Sequence, residues 1–295
     1  MRAGAVQVGQ SYDSVHRQPL LAFRIGKHKS VLPATRHLLP GEIEAAKDHT
    51  DIGTTADPEL KLKMSWAPLP VDHRPFEKFG YPPHIVDRMR RGVVVPVEGH
   101  VPRTDFGLYP EKVAGDNVAV ATEMRRCMAR GAMKWAESEA DATLIHPWVC
   151  VHKTGKVRAC QDLSVGLNKL IPTVPAFALP RVKDIRKWVK AGSYFAKGDL
   201  QDGFWMVPIA EESQQFFGVR MPEVLITQAD WDLDPSYFNG LQVGDRHPDS
   251  GRLALTTRLP FGYAAAPWLF QEITEAIGEH MRRVHDVQTM VYIDD

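Results

Sequence analysis

The chain ends on two adjacent carboxylates, Asp294 and Asp295, directly after an apolar, strand-like run at 290–293. Like charges this close repel each other unless a cation lies between them. Carboxylate oxygens suit magnesium, which proteins commonly hold with one or two carboxylates together with substrate phosphates. The stretch therefore predicts a magnesium-dependent phosphoryl-transfer site. A Tyr-x-Asp-Asp string also arises by chance, so this interpretation needs supporting motifs upstream.

Composition limits the class of protein. The 36 lysines and arginines balance the 36 aspartates and glutamates, so any surface that binds nucleic acid must be local. The 3 cysteines are too few for a disulfide framework and favour a reducing compartment. No run approaches the roughly 18 apolar residues of a membrane span, and the N-terminus lacks the apolar core of a signal peptide. We expect a soluble, intracellular protein of the cytoplasm or nucleus.

The first part of the chain, 1–85, shows no sustained hydrophobic period apart from a short helical pattern at 40–47. Frequent prolines between 67 and 83 indicate an extended linker. We therefore expect a poorly defined leader whose role the sequence does not give. The arginines that follow, in the run 88–91, favour a solvated helix face over a phosphate contact.

A helix and a basic hairpin come next. An amphipathic helical pattern at 121–136 is interrupted at Gly131, and two strand-like runs follow at 145–152 and 157–162. The turn between them, Lys153-Thr154-Gly155-Lys156, contains a glycine that can adopt positive φ. Lys153 and Arg158 could neutralise the oxygens of a triphosphate, and an ordinary solvated turn is the alternative.

Two further interpretations concern this region. His146, Cys150, His152 and Cys160 are potential zinc ligands, but they lack the paired Cys-x2-Cys spacing of structural zinc sites, which disfavours zinc. The segment 179–190 places apolar residues at helical spacing and is the most basic part of the chain. Its cations are Arg181, Lys183, Arg186, Lys187 and Lys190. Either a surface that follows a nucleic-acid backbone or a merely soluble helix would carry this pattern.

The last third predicts alternating strands and a helix. A buried strand at 194–200 presents Asp199, and strands at 204–209 and 216–219 flank a polar turn. An acidic surface insertion at 221–253 follows, without the spacing of a calcium loop. A small-residue turn then leads into a helix with an apolar face at 269–281, and a final strand at 289–293 reaches the terminal aspartates.

These motifs occur in the order of a known family. A strand with Asp199, the run Leu259-Pro260-Phe261-Gly262 followed by Ala266-Pro267 and Phe270-Gln271, and the terminal Tyr292-Ile293-Asp294-Asp295 resemble the reverse transcriptases of LTR retrotransposons and retroviruses. The resemblance covers about 121–295. Val157, Gly198 and the long insertion depart from the family pattern.

The resemblance implies roles for individual residues. By it, metal binding and catalysis fall to Asp199, Asp294 and Asp295, and nucleotide binding to Lys153, Arg158, Phe204, Phe261 and Gln271. Phe204 matches the aromatic gate that lies against the sugar and tests its 2′-position. The implied cofactor is a pair of Mg²⁺ ions, with Mn²⁺ as a substitute. The implied partners are an RNA or DNA template with its primer and deoxynucleoside triphosphates, without a membrane.

The expected fold is α+β, a right-hand polymerase fold with a fingers region at 86–190 and an incomplete palm with an antiparallel sheet at 191–295. The returning strand, thumb, RNase H and integrase regions of the family are not found, so we expect a fragment that is inactive as it stands. Three functions remain open. They are RNA-directed DNA polymerase of a retroelement, a catalytically dead remnant that at most binds nucleic acid, and the less favoured RNA-dependent RNA polymerase.

Overall fold

The computed structural model describes residues 11–12, 19–25, 28–32, 69, 73–154, 156–187, 189, 202–233 and 235–292. Its strands are β1 Ser11–Tyr12, β2 Pro19–Ile25, β3 His28–Leu32, β4 Thr104–Asp105, β5 Met133–Trp135, β6 Leu144–His146, β7 Trp148–Lys153, β8 Lys156–Gln161, β9 Gly218–Arg220 and β10 Leu253–Thr256. Its α-helices are α1 Arg74–Lys78, α2 Pro83–Arg91, α3 Asp116–Ala129, α4 Val182–Ile185, α5 Gln228–Leu233 and α6 Ala266–His285. Together they form the expected α+β fold.

A five-stranded mixed sheet lies at the centre of the described part, in the order β4-β6-β9-β10-β5. The β4–β6 and β6–β9 pairs are parallel, whereas β10 runs antiparallel to both β9 and β5. All four residues of β10 are buried, as expected for an apolar central strand. The sheet takes strands from both sides of the predicted boundary at residue 190, and that boundary stays a prediction.

The helix predicted around 269–281 is confirmed, and the one predicted at 121–136 is confirmed in part, since α3 ends at Ala129 and Met133–Trp135 form the strand β5. Helix α3 buries Val120, Met124 and Cys127 and ends before Gly131, whose φ is +71°. Helix α6 has a proline in its first turn and buries Leu269 and Ile273, which belong to the predicted apolar face. Such elements are readable from sequence because an apolar face repeats over several turns.

Two hydrophobic clusters hold these elements together. The first extends from Ile85 on α2, through Leu144 on β6, to Ile273 on α6. The second surrounds Met124 on α3 and Val219 on β9. Each cluster therefore combines residues from before or just after residue 121 with residues from the C-terminal part of the chain.

Several predicted elements differ from the structure. The strand predicted at 145–152 is divided at Pro147, which has no backbone N–H to donate, and the two parts join different sheets. The strand predicted at 204–209 begins instead as a 3-10 helix, Gly203–Met206. The described part of the predicted final strand, 289–292, has no regular secondary structure. The antiparallel hairpin β7–β8 is confirmed.

Two regions are more ordered than the sequence indicated. The first is the leader, where β1, β2 and β3 form an antiparallel sheet. The second is the insertion at 221–253, which contains α5 and a 3-10 helix, Pro235–Phe238. Asp230, a buried residue of the insertion, forms an ion pair with Arg125 of α3. This ion pair attaches part of the insertion to α3.

Candidate active site

The three predicted catalytic carboxylates, Asp199, Asp294 and Asp295, lie outside the described residues, as does Lys190. The described residues resume at Asp202. Asp202 adopts a left-handed backbone with φ of +56°. That conformation is uncommon for residues other than glycine, although Asp and Asn tolerate it best.

Two arginines of α3 hold Asp202 in place. Arg130 Nη1 lies 2.5 Å from Asp202 Oδ2, and Arg126 Nη1 lies 3.3 Å from the same oxygen. Burial alone would raise the pKa of Asp202, but the two guanidinium groups hold that pKa below its usual range. The carboxylate is therefore charged at neutral pH. It attaches the segment that begins at Asp202 to a helix from another part of the chain.

Three aromatic rings meet where the resemblance predicts the nucleotide pocket. The ring of Phe204 lies 5.2 Å from that of Phe261, tilted by 48°, and 5.3 Å from that of Phe270, nearly perpendicular at 82°. Gly203 makes this close approach possible, because a Cβ at that position would lie 2.4 Å from Phe270 Cζ. The structure thus brings together Phe204 and Phe261, two residues predicted for the same pocket from distant motifs.

The turn that carries Phe261 is fixed by its surroundings. Gly262 has a φ of +102°, and a Cβ there would lie 2.2 Å from the main-chain oxygen of Gln161 on β8. The side chain of Asn168 donates to the Gly262 carbonyl at 2.8 Å and accepts from the Ala264 N–H at 3.0 Å. The turn is therefore held both by the basic hairpin and by the segment after it.

Gln271 occupies the first half of α6 and is buried, with 8% of its surface exposed. Its Oε1 atom accepts no hydrogen bond from any described residue. Burial places the residue within the packed part of α6. Its contact with a nucleotide stays a prediction.

The two hairpin residues that are predicted to bind the triphosphate differ in burial. Lys153 is exposed at the end of β7, paired in register with Lys156. Arg158 is half-buried and paired in register with Val151. Burial raises the pKa of the nearby Cys160 thiol, and Arg158 opposes that rise. An exposed cation at the hairpin tip and a half-buried one further along the strand could both donate hydrogen bonds to one anion.

The residues considered for zinc have other contacts. His146 stacks on Phe106, and its Nε2 atom lies 3.1 Å from the Phe216 carbonyl oxygen. Burial lowers the pKa of His146 to about 4, so its ring is neutral. The ring of His152 lies 2.9 Å from a carboxylate oxygen of Asp116. Among the residues that the structure describes, no three His, Cys, Asp or Glu side chains are grouped to hold a metal ion.

The basic segment forms only a short helix, α4, and not the full helix predicted at 179–190. Its one carboxylate, Asp184, lies within ion-pair distance of Arg181, at 3.7 Å, and Lys187, at 3.2 Å. Lys183 and Arg186 are exposed beside this pair. The described part of the segment therefore presents four cations with one anion to the solvent, which fits either of the predicted alternatives.

The upstream arginines of α2 do not all follow the prediction of a solvated face. Arg91 is exposed and its Nε lies 2.6 Å from Asp87. Arg88 is largely buried, lies 2.7 Å from Glu272 of α6 and covers the ring of Trp268 at 5.7 Å. Arg88 thus joins α2 to α6, and the solvated-face prediction is wrong for this residue.

Four residues that support the site were not singled out from the sequence. For Asn168, nothing in the neighbouring sequence indicated that its amide would contact the turn at 262–264. The ion pairs of Asp202 with Arg126 and Arg130 join distant parts of the chain. Their only sequence signal was an acidic residue in a turn and arginines on a predicted helix.

Comparison with known protein families gives one match. The family described as reverse transcriptase (RNA-dependent DNA polymerase) matches residues 152–295. A search of curated proteins gives no match. The matched region begins inside β7 and contains every residue predicted here for metal, nucleotide or nucleic-acid binding. No helix in the described part of the chain is long and apolar enough to cross a membrane.

Proposed function

Residues 152–295 of this chain belong to the reverse transcriptase (RNA-dependent DNA polymerase) family, and from this premise we propose that they form the nucleotide-addition site of a retroelement reverse transcriptase. The reaction adds deoxynucleotides to a primer that is paired with an RNA or DNA template. The observation that best supports the proposal is the contact between Phe204 and Phe261, whose rings lie 5.2 Å apart. Two residues assigned to one pocket by the resemblance are neighbours in the fold.

The proposed metal site consists of Asp199, Asp294 and Asp295. The chemistry of this donor set fits a hard divalent cation, since three carboxylates supply charged oxygen ligands of the kind that Mg²⁺ and Mn²⁺ prefer. When bound, a pair of such ions would activate the primer hydroxyl and neutralise charge on the triphosphate. The described ion pairs of Asp202 would hold the segment that leads away from Asp199.

The other residues would bind and orient the substrates. Lys153 and Arg158 would hold the triphosphate by charge-assisted hydrogen bonds. Phe204 would lie against the sugar and exclude the 2′-hydroxyl by steric contact, and the turn at Phe261 would complete the wall of the pocket. The cations of 181–187 would contact the phosphates of the template or primer. We further propose that 86–190 correspond to the fingers and 191–295 to part of the palm of a right-hand polymerase fold.

A second function, a catalytically dead remnant that binds nucleic acid, is favoured by the exposed cations at 181–187. Primer extension on an RNA template with magnesium separates the two. We expect incorporation by the chain continued through the codons that follow Asp295 in its gene. Asp199→Asn would abolish incorporation, because a neutral amide cannot replace a charged ligand, whereas the exposed Asp232→Asn would not. Incorporation that survives in Asp199→Asn rules out the site. If the continued chain without substitutions binds nucleic acid but incorporates no nucleotide, the second function is supported.

A further inference from the structure

The side chain of Asn168 bridges two backbone groups of the turn that carries Phe261. Its Nδ2 atom donates to the Gly262 carbonyl at 2.8 Å and its Oδ1 atom accepts from the Ala264 N–H at 3.0 Å. The orientation of the amide is fixed, because a carbonyl only accepts and an N–H only donates. Both polar ends of the side chain are therefore committed to the turn.

Asn168 is itself rigidly placed. It lies in the 3-10 helix Leu167–Lys169, and Leu167 is fully buried in the first hydrophobic cluster. Just before it, Gly166 packs so closely that a Cβ would lie 2.5 Å from Phe106 Cε2. A side chain on a fixed backbone can hold a neighbouring turn with little loss of conformational entropy on forming the contact.

The turn it holds is tightly constrained on its other side. Gly262 lies against the main-chain oxygen of Gln161, at the end of β8. The hairpin that carries Arg158 therefore supports one side of the turn, and Asn168 supports the other. A shift of the turn would move Phe261 relative to Phe204, whose rings lie 5.2 Å apart.

We propose that Asn168 is a positioning residue that sets Phe261 against Phe204 and thereby sets the selection of deoxynucleotides over ribonucleotides. This inference rests on the proposed function, since it assumes that the two rings line the nucleotide pocket. Asn168 acts through the turn and does not itself contact the nucleotide. Small displacements matter in such a site, because sugar selection depends on steric exclusion of a single hydroxyl group.

The chain offers a matched control. Gln215 has the same amide chemistry, donating to the Glu212 carbonyl at 2.8 Å and accepting from the Thr143 hydroxyl at 2.6 Å, and it lies outside the aromatic contact. Asn168→Ala and Gln215→Ala each remove one doubly bonded amide. Asn168→Asp has nearly the same shape but replaces the donor with a carboxylate oxygen. It takes the place of Asn168→Ala in both measurements if Asn168→Ala does not fold.

Two measurements test the proposal, both made on the same continued chain that is used for primer extension. The first is amide hydrogen exchange at Ala264, which reports the hold on the turn directly. The second is the ratio of dTTP to UTP affinity in complex with magnesium and an RNA template whose primer ends in a dideoxynucleotide, which blocks addition. In Asn168→Ala we expect exchange to accelerate about 5-fold or more, the equivalent of one typical hydrogen bond. We expect the affinity ratio to fall about 10-fold. Gln215→Ala would change neither.

Each outcome decides one claim. If Asn168→Ala and Gln215→Ala give the same affinity ratio, the positioning role is wrong, whatever the exchange shows. If exchange at Ala264 is also unchanged in Asn168→Ala, the side chain does not hold the turn. If the unchanged chain binds neither nucleotide, the proposed function fails, and the exchange measurement still decides whether Asn168 holds the turn.

Discussion

The rings of Phe204 and Phe261 lie 5.2 Å apart and tilted by 48°, a geometry within the range of favourable aromatic pairs. Phe204 packs on the first hydrophobic cluster and Phe261 on the second. The contact therefore joins the two clusters at the proposed nucleotide pocket. A change in the relative position of the clusters would be transmitted directly to the surface on which a sugar would lie.

The first prediction concerns this gate. Phe204→Val removes the aromatic ring, so the 2′-hydroxyl of a ribonucleotide no longer meets a steric barrier. We expect the preference for deoxynucleotides over ribonucleotides, measured as the ratio of kcat/KM values in primer extension, to fall about 10-fold or more. Phe204→Tyr keeps the ring and is the control. Unchanged discrimination in Phe204→Val would show that another residue tests the sugar.

The second prediction concerns the Asp202 carboxylate. Asp202→Asn removes its charge but keeps a side chain that tolerates the left-handed backbone. The variant removes the largely buried carboxylate that Arg126 and Arg130 share, so we expect the free energy of unfolding at pH 7 to fall by about 3 kcal/mol. Denaturant unfolding followed by circular dichroism measures the difference. The exposed Asp232→Asn is the control and would change it little.

The pH dependence of that difference has a definite sign. The pKa of Asp202 is lowered in the folded chain, where Arg126 and Arg130 outweigh the effect of burial. The ionised carboxylate therefore stabilises the fold fully well above the unfolded pKa of about 3.9, and the contribution is lost as the pH falls through the lower pKa of the folded chain. Unchanged and Asp202→Asn chains would converge in stability on acidification. A constant gap down to pH 3 would contradict the ion-pair account.

The third prediction concerns the limits of the folding unit. A chain that starts at His152, where the family match begins, lacks α3 and most of β7 and loses Ile85 and Leu144 from the first cluster. We expect it to show no cooperative thermal transition. A chain that starts at Leu69, whose N–H donates to the Arg130 carbonyl at 3.0 Å, would keep one. Cooperative melting of the shorter chain would mean that the upstream segment is dispensable.

Parts of the fold were predictable because their signals are local. The apolar face of α6 repeats over several turns, and the β7–β8 hairpin is marked by a glycine between two strand-like runs. The run from Phe204 to Ile209 was misread as a strand, because a short apolar run gives no reliable period. Pro147 divides a strand-like run. Because proline lacks the backbone N–H that a strand donates, its presence in the run could have predicted this break.

The site was predictable only as separate pieces. The sequence indicated Phe204 and Phe261 individually, through their family motifs, but did not show that the rings touch. The supports of the site escaped prediction for a physical reason. The hydrogen bonds of Asn168 and the ion pairs of Asp202 join residues far apart in the chain, so they exist only once the hairpin, α3 and the turn are packed together. Neither contact leaves a periodic pattern in the sequence.

The central claim is that the terminal carboxylates hold the metals of a reverse transcriptase site. The most direct measurement compares single-nucleotide addition on an RNA template, with magnesium, by Asp294→Asn and by Asp286→Asn in the chain continued beyond Asp295. Asp286 lies just after α6 with a φ of +52°, which Asn also tolerates, so its replacement removes a nearby charge at little structural cost. The account predicts that Asp294→Asn abolishes addition and that Asp286→Asn retains it. Equal activity in the two variants would contradict the claim.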